Sequence, residues 1–292
     1  MKGIMPVNHE KLFATEAQRH GDSFHELQNN AGLIDFTNHK ISKNSVIFSE
    51  SLCLRGITAV LLLIFIALTI APAGAVASES VRTQEINQCL SGELVTWGDG
   101  RDRPAIASQL KFAYHHAAAP DWFSEPQVAA MVAKAAEEWS QCGIRTSIVG
   151  WGVLNLLKPD VIRVQWSDKE SRGNFGLANL GKRTLSLGPK AFALLKTRNP
   201  AYDSRQTLQM VISHEMGHFF GLMAHSRRCV DVLSYYDNGK GEACYSRDPA
   251  QMRTVKEYRS IFPTACDIER CRNINGMTPL LDGRLAEHPR TQ

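Results

Sequence analysis

Little charge is left over in this chain. Lys and Arg number 33 against 29 Asp and Glu, a formal excess of +4 spread over 292 residues. A scattered balance of that kind carries neither the basic patch that nucleic acid needs nor a polybasic membrane signal. Cys-x-x-Cys pairs are absent, which removes the usual cysteine-based metal sites. No EF-hand-like aspartate loop offers itself to calcium. No methionine lies between Met5 and Met131. Long apolar runs are also scarce, with one between Gly56 and Ala73. What remains is 43% hydrophobic, enough to bury the core of one or two domains.

The single apolar run follows Arg55 and ends in Ala75-Val76-Ala77, a small-x-small cleavage pattern before Ser78. Basic start, apolar middle and small-residue end are the three parts of a secretory signal peptide. The competing reading is a membrane anchor through residues 56–73, which needs about 20 apolar residues. The run falls slightly short of that and carries Pro72 near its end, which favours the signal. Residues 1–54 are polar, mixed in charge and aperiodic. They read as a disordered segment, either a cytoplasmic tail before an anchor or sequence ahead of a later, non-Met start.

Seven cysteines are present. Cys53 precedes the apolar run. The other six, Cys89, Cys142, Cys229, Cys244, Cys266 and Cys271, would all be exported, and an even count in an oxidising compartment predicts three disulfides. Proximity in the chain favours Cys229–Cys244 and Cys266–Cys271, leaving Cys89–Cys142.

The strongest signal is Ser213-His214-Glu215-Met216-Gly217-His218-Phe219-Phe220-Gly221-Leu222-Met223-Ala224-His225. Residues four apart share a helix face, so His214 and His218 can grip one ion. Glu215 can lean over that ion without binding it. Gly221 lets the chain leave the helix through a positive φ, so that His225 can swing back. Three neutral imidazoles with a fourth position open to water describe a catalytic zinc site. Asp231 and Glu242 are the alternative third ligands. The plain reading is an amphipathic helix with two half-exposed histidines, against which the glycine and third histidine stand as independent support.

Around the motif the pattern is α+β. Gln109 to His115 alternates like a strand, and the histidines His115 and His116 at its end read as surface residues. Ser124 and Pro126 begin a helix over 125–141, with Val128, Met131, Val132, Ala135 and Trp139 as its buried stripe. Strands follow at 144–149 and 161–166, a loop at 167–176, and a further strand at Thr184-Leu185-Ser186-Leu187. A short helical piece spans 191–196. Asp203 or Ser204 caps the central helix, and a last helix is predicted over 249–261, carrying Met252, Val255 and Tyr258. The tail from Asn273 reads as loose.

With these residues in place the chain resembles the metzincin metallopeptidases, above all the matrixin group, from about Leu110 to Phe262. The resemblance rests on the first strand, the helix ending Glu138-Trp139-Ser140, the Gly176-Leu177-Ala178 segment, the histidine helix and a final helix. The family pattern is His-Glu-x-x-His-x-x-Gly-x-x-His. Here three residues, not two, separate Gly221 from His225, adding about 3.3–3.6 Å of reach. Asp231-Val232-Leu233-Ser234-Tyr235 matches the family's Met-turn, with Leu233 in place of methionine, a swap of similar volume. Cys89, in Asn-Gln-Cys-Leu-Ser-Gly, lacks the Pro-Arg-Cys-Gly context of a matrixin latency cysteine.

The resemblance implies a mixed twisted sheet of four to five strands over two long helices, with a small irregular C-terminal part. Taken with the apolar run, it gives a polar segment (1–54), a signal or anchor (55–77), an arm (78–103), a catalytic domain (104–265) and a tail (266–292). It implies a secreted or periplasmic zinc endopeptidase, or one anchored with its catalytic domain outside, acting on protein or peptide substrates. Zinc on His214, His218 and His225 activates a water, Glu215 takes the water's proton, and Tyr235 helps the oxyanion. The strand at Thr184–Leu187 resembles the family's edge strand, to which an extended peptide could pair. The alternatives are a zinc-binding pseudopeptidase that recognises a cell-envelope protein and a structural envelope protein with no metal.

Overall fold

The computed structural model describes residues 80–286 apart from 153, 154, 156, 157, 159 and 256. The polar segment 1–54, the signal-or-anchor run at 55–77 and Cys53 lie outside the described residues. Among the described residues no helix is long and apolar enough to cross a membrane. In chain order the elements are α1 (Val81–Asn87), β1 (Gln109–His115), α2 (Glu125–Trp139, then one 3-10 turn, Ser140–Cys142), β2 (Arg145–Ile148), β3 (Val161–Trp166), α3 (Asp168–Ser171), β4 (Gly176–Asn179), β5 (Thr184–Leu187), α4 (Pro189–Arg198), α5 (Ser204–Phe219), α6 (Pro249–Thr254) and α7 (Ala265–Ile274).

The five strands form one mixed sheet in the order β2-β1-β3-β5-β4, parallel except for β4. This is an α+β arrangement. β1 lies inside the sheet and buries Leu110, Phe112 and Ala113, while β3 buries Val161, Ile162, Val164 and Trp166. Such near-continuous apolar strands suit a parallel sheet covered on its faces. The long helices α2 and α5 pack against each other and against the sheet. Val128, Val132, Ala135 and Trp139 of α2 meet Leu208, Ile212, Met216 and Phe219 of α5 in one core. Trp139 stacks on Phe220 at 5.3 Å between ring centroids and donates its indole N–H to the Ser213 carbonyl at 2.8 Å. That bond fixes the residue just before the first motif histidine.

Three expectations are corrected. Thr184–Leu187 is not an edge strand: β5 has β3 on one side and β4 on the other, and α3 packs on it, so all four residues are buried. The edge is β4. Alternation along a strand reports its faces and carries no information about its neighbours in the sheet. The helix expected over 249–261 stops at Thr254, and Tyr258 turns into a small cluster with Cys229 and Val230. Among the described residues the last α-helix is instead α7, in what reads as tail. Thr264 and Asp267 close a capping box on it, and Ile268 and Cys271 enter the main core.

The disulfides are Cys229–Cys244, Cys89–Cys266 and Cys142–Cys271. The first agrees with chain proximity; the other two exchange partners. Cys266 and Cys271 stand five residues apart on one helix, about 140° apart around its axis, so their sulfurs face different neighbours. Each then fastens α7 to a distant segment, the arm through Cys89 and the end of α2 through Cys142. Three disulfides are the mark of an oxidising compartment. Replacing Cys142 and Cys271 together by serine is expected to lower stability by about 2–5 kcal/mol, read from the denaturant midpoint. Peptide mapping of the unreduced chain should recover these three pairs and no Cys266–Cys271 link.

Candidate metal centre

α5 starts where Asp203 caps it, the carboxylate accepting the Arg205 backbone N–H at 3.0 Å. Fourteen of its residues are buried, among them His214, Glu215 and His218. A helix buried on nearly all sides is held by its packing, and so are the histidines it carries. His214 and His218 lie one turn apart with ring centroids 5.3 Å from each other. The helix ends at Phe219, and Gly221 turns the chain with φ of 100°. A Cβ on residue 221 would stand 1.8 Å from the Arg103 carbonyl oxygen, so glycine is required there twice over. Leu222, Met223 and Ala224 then carry His225 back to 5.1 Å from the ring of His214 and 5.4 Å from that of His218.

One ligating nitrogen from each of the three histidines lies within 4.8 Å of the other two. The far side of each ring explains which nitrogen points inward. His214 donates Nδ1–H to the Val232 carbonyl at 2.7 Å, and His218 donates Nδ1–H to the Leu222 carbonyl at 2.7 Å. His225 donates Nδ1–H to Asp99 Oδ2 at 2.8 Å. With the proton held on Nδ1, each Nε2 keeps its lone pair and turns it toward a common point. Nε2 of His225 and Nε2 of His214 are 3.3 Å apart. The chemistry of this donor set fits a metal ion.

Asp231 and Glu242 are not part of the group. Asp231 is buried and accepts hydrogen bonds from Ser226, Arg228 and Thr264 at 2.6–2.8 Å. Glu242 is exposed and bonded to Asn238. Glu215 lines a cleft beside the histidines, together with His214, Gly176, Phe175, Val211 and Arg259. Its Oε2 accepts the Ala178 backbone N–H from edge strand β4 at 2.7 Å. A Cβ at residue 176 would come within 2.7 Å of Glu215 Cγ, so β4 lies flush against the carboxylate only because that residue is glycine. Leu233 is fully buried beneath α5, where a Cβ on Gly217 would meet its Cδ1 at 3.1 Å. Tyr235 turns its hydroxyl to Asp99 Oδ2 at 2.8 Å, while its ring lies 4.8 Å from that of His225 and stacks on Trp97 at 5.4 Å.

Asp99 and Asp102 went unseen in the sequence. They sit in the polar arm, where Gly98 and Gly100 mark only turns, and Asp99 is 126 residues from the histidine it holds. No spacing rule connects residues so far apart. The structure shows how the longer glycine-to-histidine spacing is accommodated: Asp102 Oδ1 accepts the N–H groups of Met223 and Ala224 at 2.8 and 3.0 Å, and Asp99 Oδ1 accepts that of His225 at 3.0 Å. Burial pushes the Asp99 carboxyl upward, but the hydrogen bonds it accepts from the ring and backbone of His225 and from the Tyr235 hydroxyl outweigh it and hold the group well below the usual carboxylate range.

No protein-family model matches this chain, and no curated protein matches it in sequence. Among solved structures, the GM1-bound form of the ECX AB5 holotoxin aligns with 14% sequence identity and a TM-score of 0.37, covering 60% of this chain and 87% of that one. A likeness that low carries no argument about fold or function.

Replacing Gly221 by alanine forces a left-handed residue into the Arg103 backbone. The expected loss is at least about 1–3 kcal/mol of stability, with weaker metal binding because the path to His225 shifts. Thermal melting and metal titration of the variant read both.

Proposed function

We propose that this protein is an exported zinc-dependent endopeptidase of metzincin-like type, with His214, His218 and His225 as ligands and Glu215 as general base. The observation that carries the reading is the convergence of three Nε2 lone pairs, each fixed by an acceptor behind its ring, next to a carboxylate that lines a small cleft beside His214. Zinc is favoured by the donor set and by scale. Two nitrogens about 2.0–2.1 Å from a tetrahedral ion stand about 3.3 Å apart, which matches the separation between His214 and His225. Bound there, Zn2+ supplies a Lewis acid that lowers the pKa of water toward about 7.

The chain's own residues do the rest. The Nδ1 acceptors fix the tautomer and the aim of the three imidazoles. Glu215, held at Oε2 by Ala178, takes a proton from the attacking water and returns it to the leaving amine. β4 is the sheet edge beside Glu215, and an extended peptide would lie along it, where Ala178 gives its N–H to the carboxylate. This replaces the role that the sequence resemblance assigns to Thr184–Leu187. Tyr235 is engaged with Asp99, and its contribution is to the orientation of His225 in place of the oxyanion role. Three disulfides agree with work outside the cytoplasm.

Glu215→Gln keeps the shape of the side chain and removes the base. Peptide hydrolysis should fall by about 10²–10⁴-fold while zinc stoichiometry stays at that of the native protein. Chelation should abolish turnover of the native protein and re-addition of zinc restore it. Undiminished hydrolysis by the glutamine variant would rule out Glu215 as the base.

A further inference from the structure

The mechanism above uses the histidines and Glu215, and leaves unexplained why an N-terminal arm is strapped so tightly along residues 221–227. Trp97 N–H donates to the His225 carbonyl at 2.9 Å, and Arg227 N–H to the Val95 carbonyl at 2.9 Å. Arg103 N–H donates to the Gly221 carbonyl at 3.0 Å. At the centre of this strap is Asp99. One oxygen accepts the backbone N–H of His225, and the other accepts both its Nδ1–H and the Tyr235 hydroxyl. The side chain is largely covered, with 19% of its surface exposed.

We infer that Asp99 is a positioning residue for the metal: it selects the tautomer of His225, and so decides whether that ring can act as a ligand. The inference rests on the reading of the three histidines as a metal site and not on peptide hydrolysis. A carboxylate can only accept, so the His225 proton stays on Nδ1 and the lone pair on Nε2 faces His214. Tyr235 makes the arrangement a closed set, because its hydroxyl donates into the same oxygen and leaves Asp99 no freedom to turn away.

An amide in place of the acid has a definite outcome. The His225 backbone N–H cannot reverse its role, so the amide oxygen of the substituted side chain must face it. The amide NH2 then faces His225 Nδ1 and the tyrosine oxygen, both of which can accept. The imidazole proton moves to Nε2, where it points into the metal position. Asp99→Asn is therefore the near-isosteric change that keeps the strap and inverts the ligand. Asp99→Ala loses the contacts and lets His225 take either tautomer. A role confined to folding predicts the reverse ranking, because asparagine preserves more bonds than alanine.

The test measures zinc affinity by chelator competition on the full exported domain, alongside thermal melting of the metal-free forms. Asp99→Asn is expected to bind zinc about 10–100-fold more weakly than the native protein and more weakly than Asp99→Ala, although it melts at the higher temperature of the two. Imidazole ¹⁵N shifts should report Nε2–H at residue 225 in the asparagine variant and Nδ1–H in the native chain. Native-like zinc affinity of Asp99→Asn, or an affinity order that follows the melting order, overturns the inference. Failure of the native protein itself to bind zinc would overturn the metal-site reading and this inference with it, a result separate from the loss of peptide hydrolysis alone.

Discussion

Three imidazole nitrogens that turn their lone pairs toward one point repel each other, and the protein has to hold them there from behind. That constraint explains most of what surrounds the site. Each ring is tied on its outer nitrogen by an acceptor of different origin. One is a carbonyl of the loop after the motif (Val232), one is a carbonyl of the turn that ends the helix (Leu222), and one is a carboxylate of the N-terminal arm (Asp99). Such outer partners fix the ring plane and the tautomer and raise the basicity of the ligating nitrogen.

Behind those acceptors lies a further layer. Val232 presents its carbonyl to His214 because its own N–H is held by Asp267 at 2.9 Å. Asp267 also closes the capping box of α7, and Thr264 there bonds Asp231. Arg228, with no exposed surface, bonds Asp231 and the Glu85 carbonyl, which joins α1 to the same network. Burial, then the charge of Asp231, pushes the Asp267 carboxyl up. Buried charges set so close are tolerated where every neighbour is constrained. On the other flank, Arg270 of α7 bonds the Ala224 carbonyl and pairs with Asp102 at 2.8 Å. The loop that leads to His225 thus runs between the arm and α7, and Cys89–Cys266 ties those two together.

This arrangement gives the extra residue before His225 a physical meaning. A wider loop has more ways to leave His225 away from the other two histidines, and its added freedom must be removed by contacts. The backbone N–H groups of residues 223, 224 and 225 are all taken by two aspartates of one arm. The burial of Leu233 against Gly217 and Trp139 shows likewise that a branched aliphatic side chain fills the space beneath α5.

Residues close in the chain were legible from their order alone. His214, Glu215 and His218 follow from helical spacing, His225 from the glycine that precedes it, and β1, α2 and β3 from periodicity. Cys229–Cys244 was legible for the same reason, being a short loop. Asp99, Asp102, Arg270, the two long-range disulfides, the edge position of β4 and the packing of α7 belong to tertiary structure. Each depends on segments far apart in the chain meeting in space, or on which strand lies next to which. A local pattern records the conformation of a stretch and which side of it is apolar, and holds no record of what that side will touch.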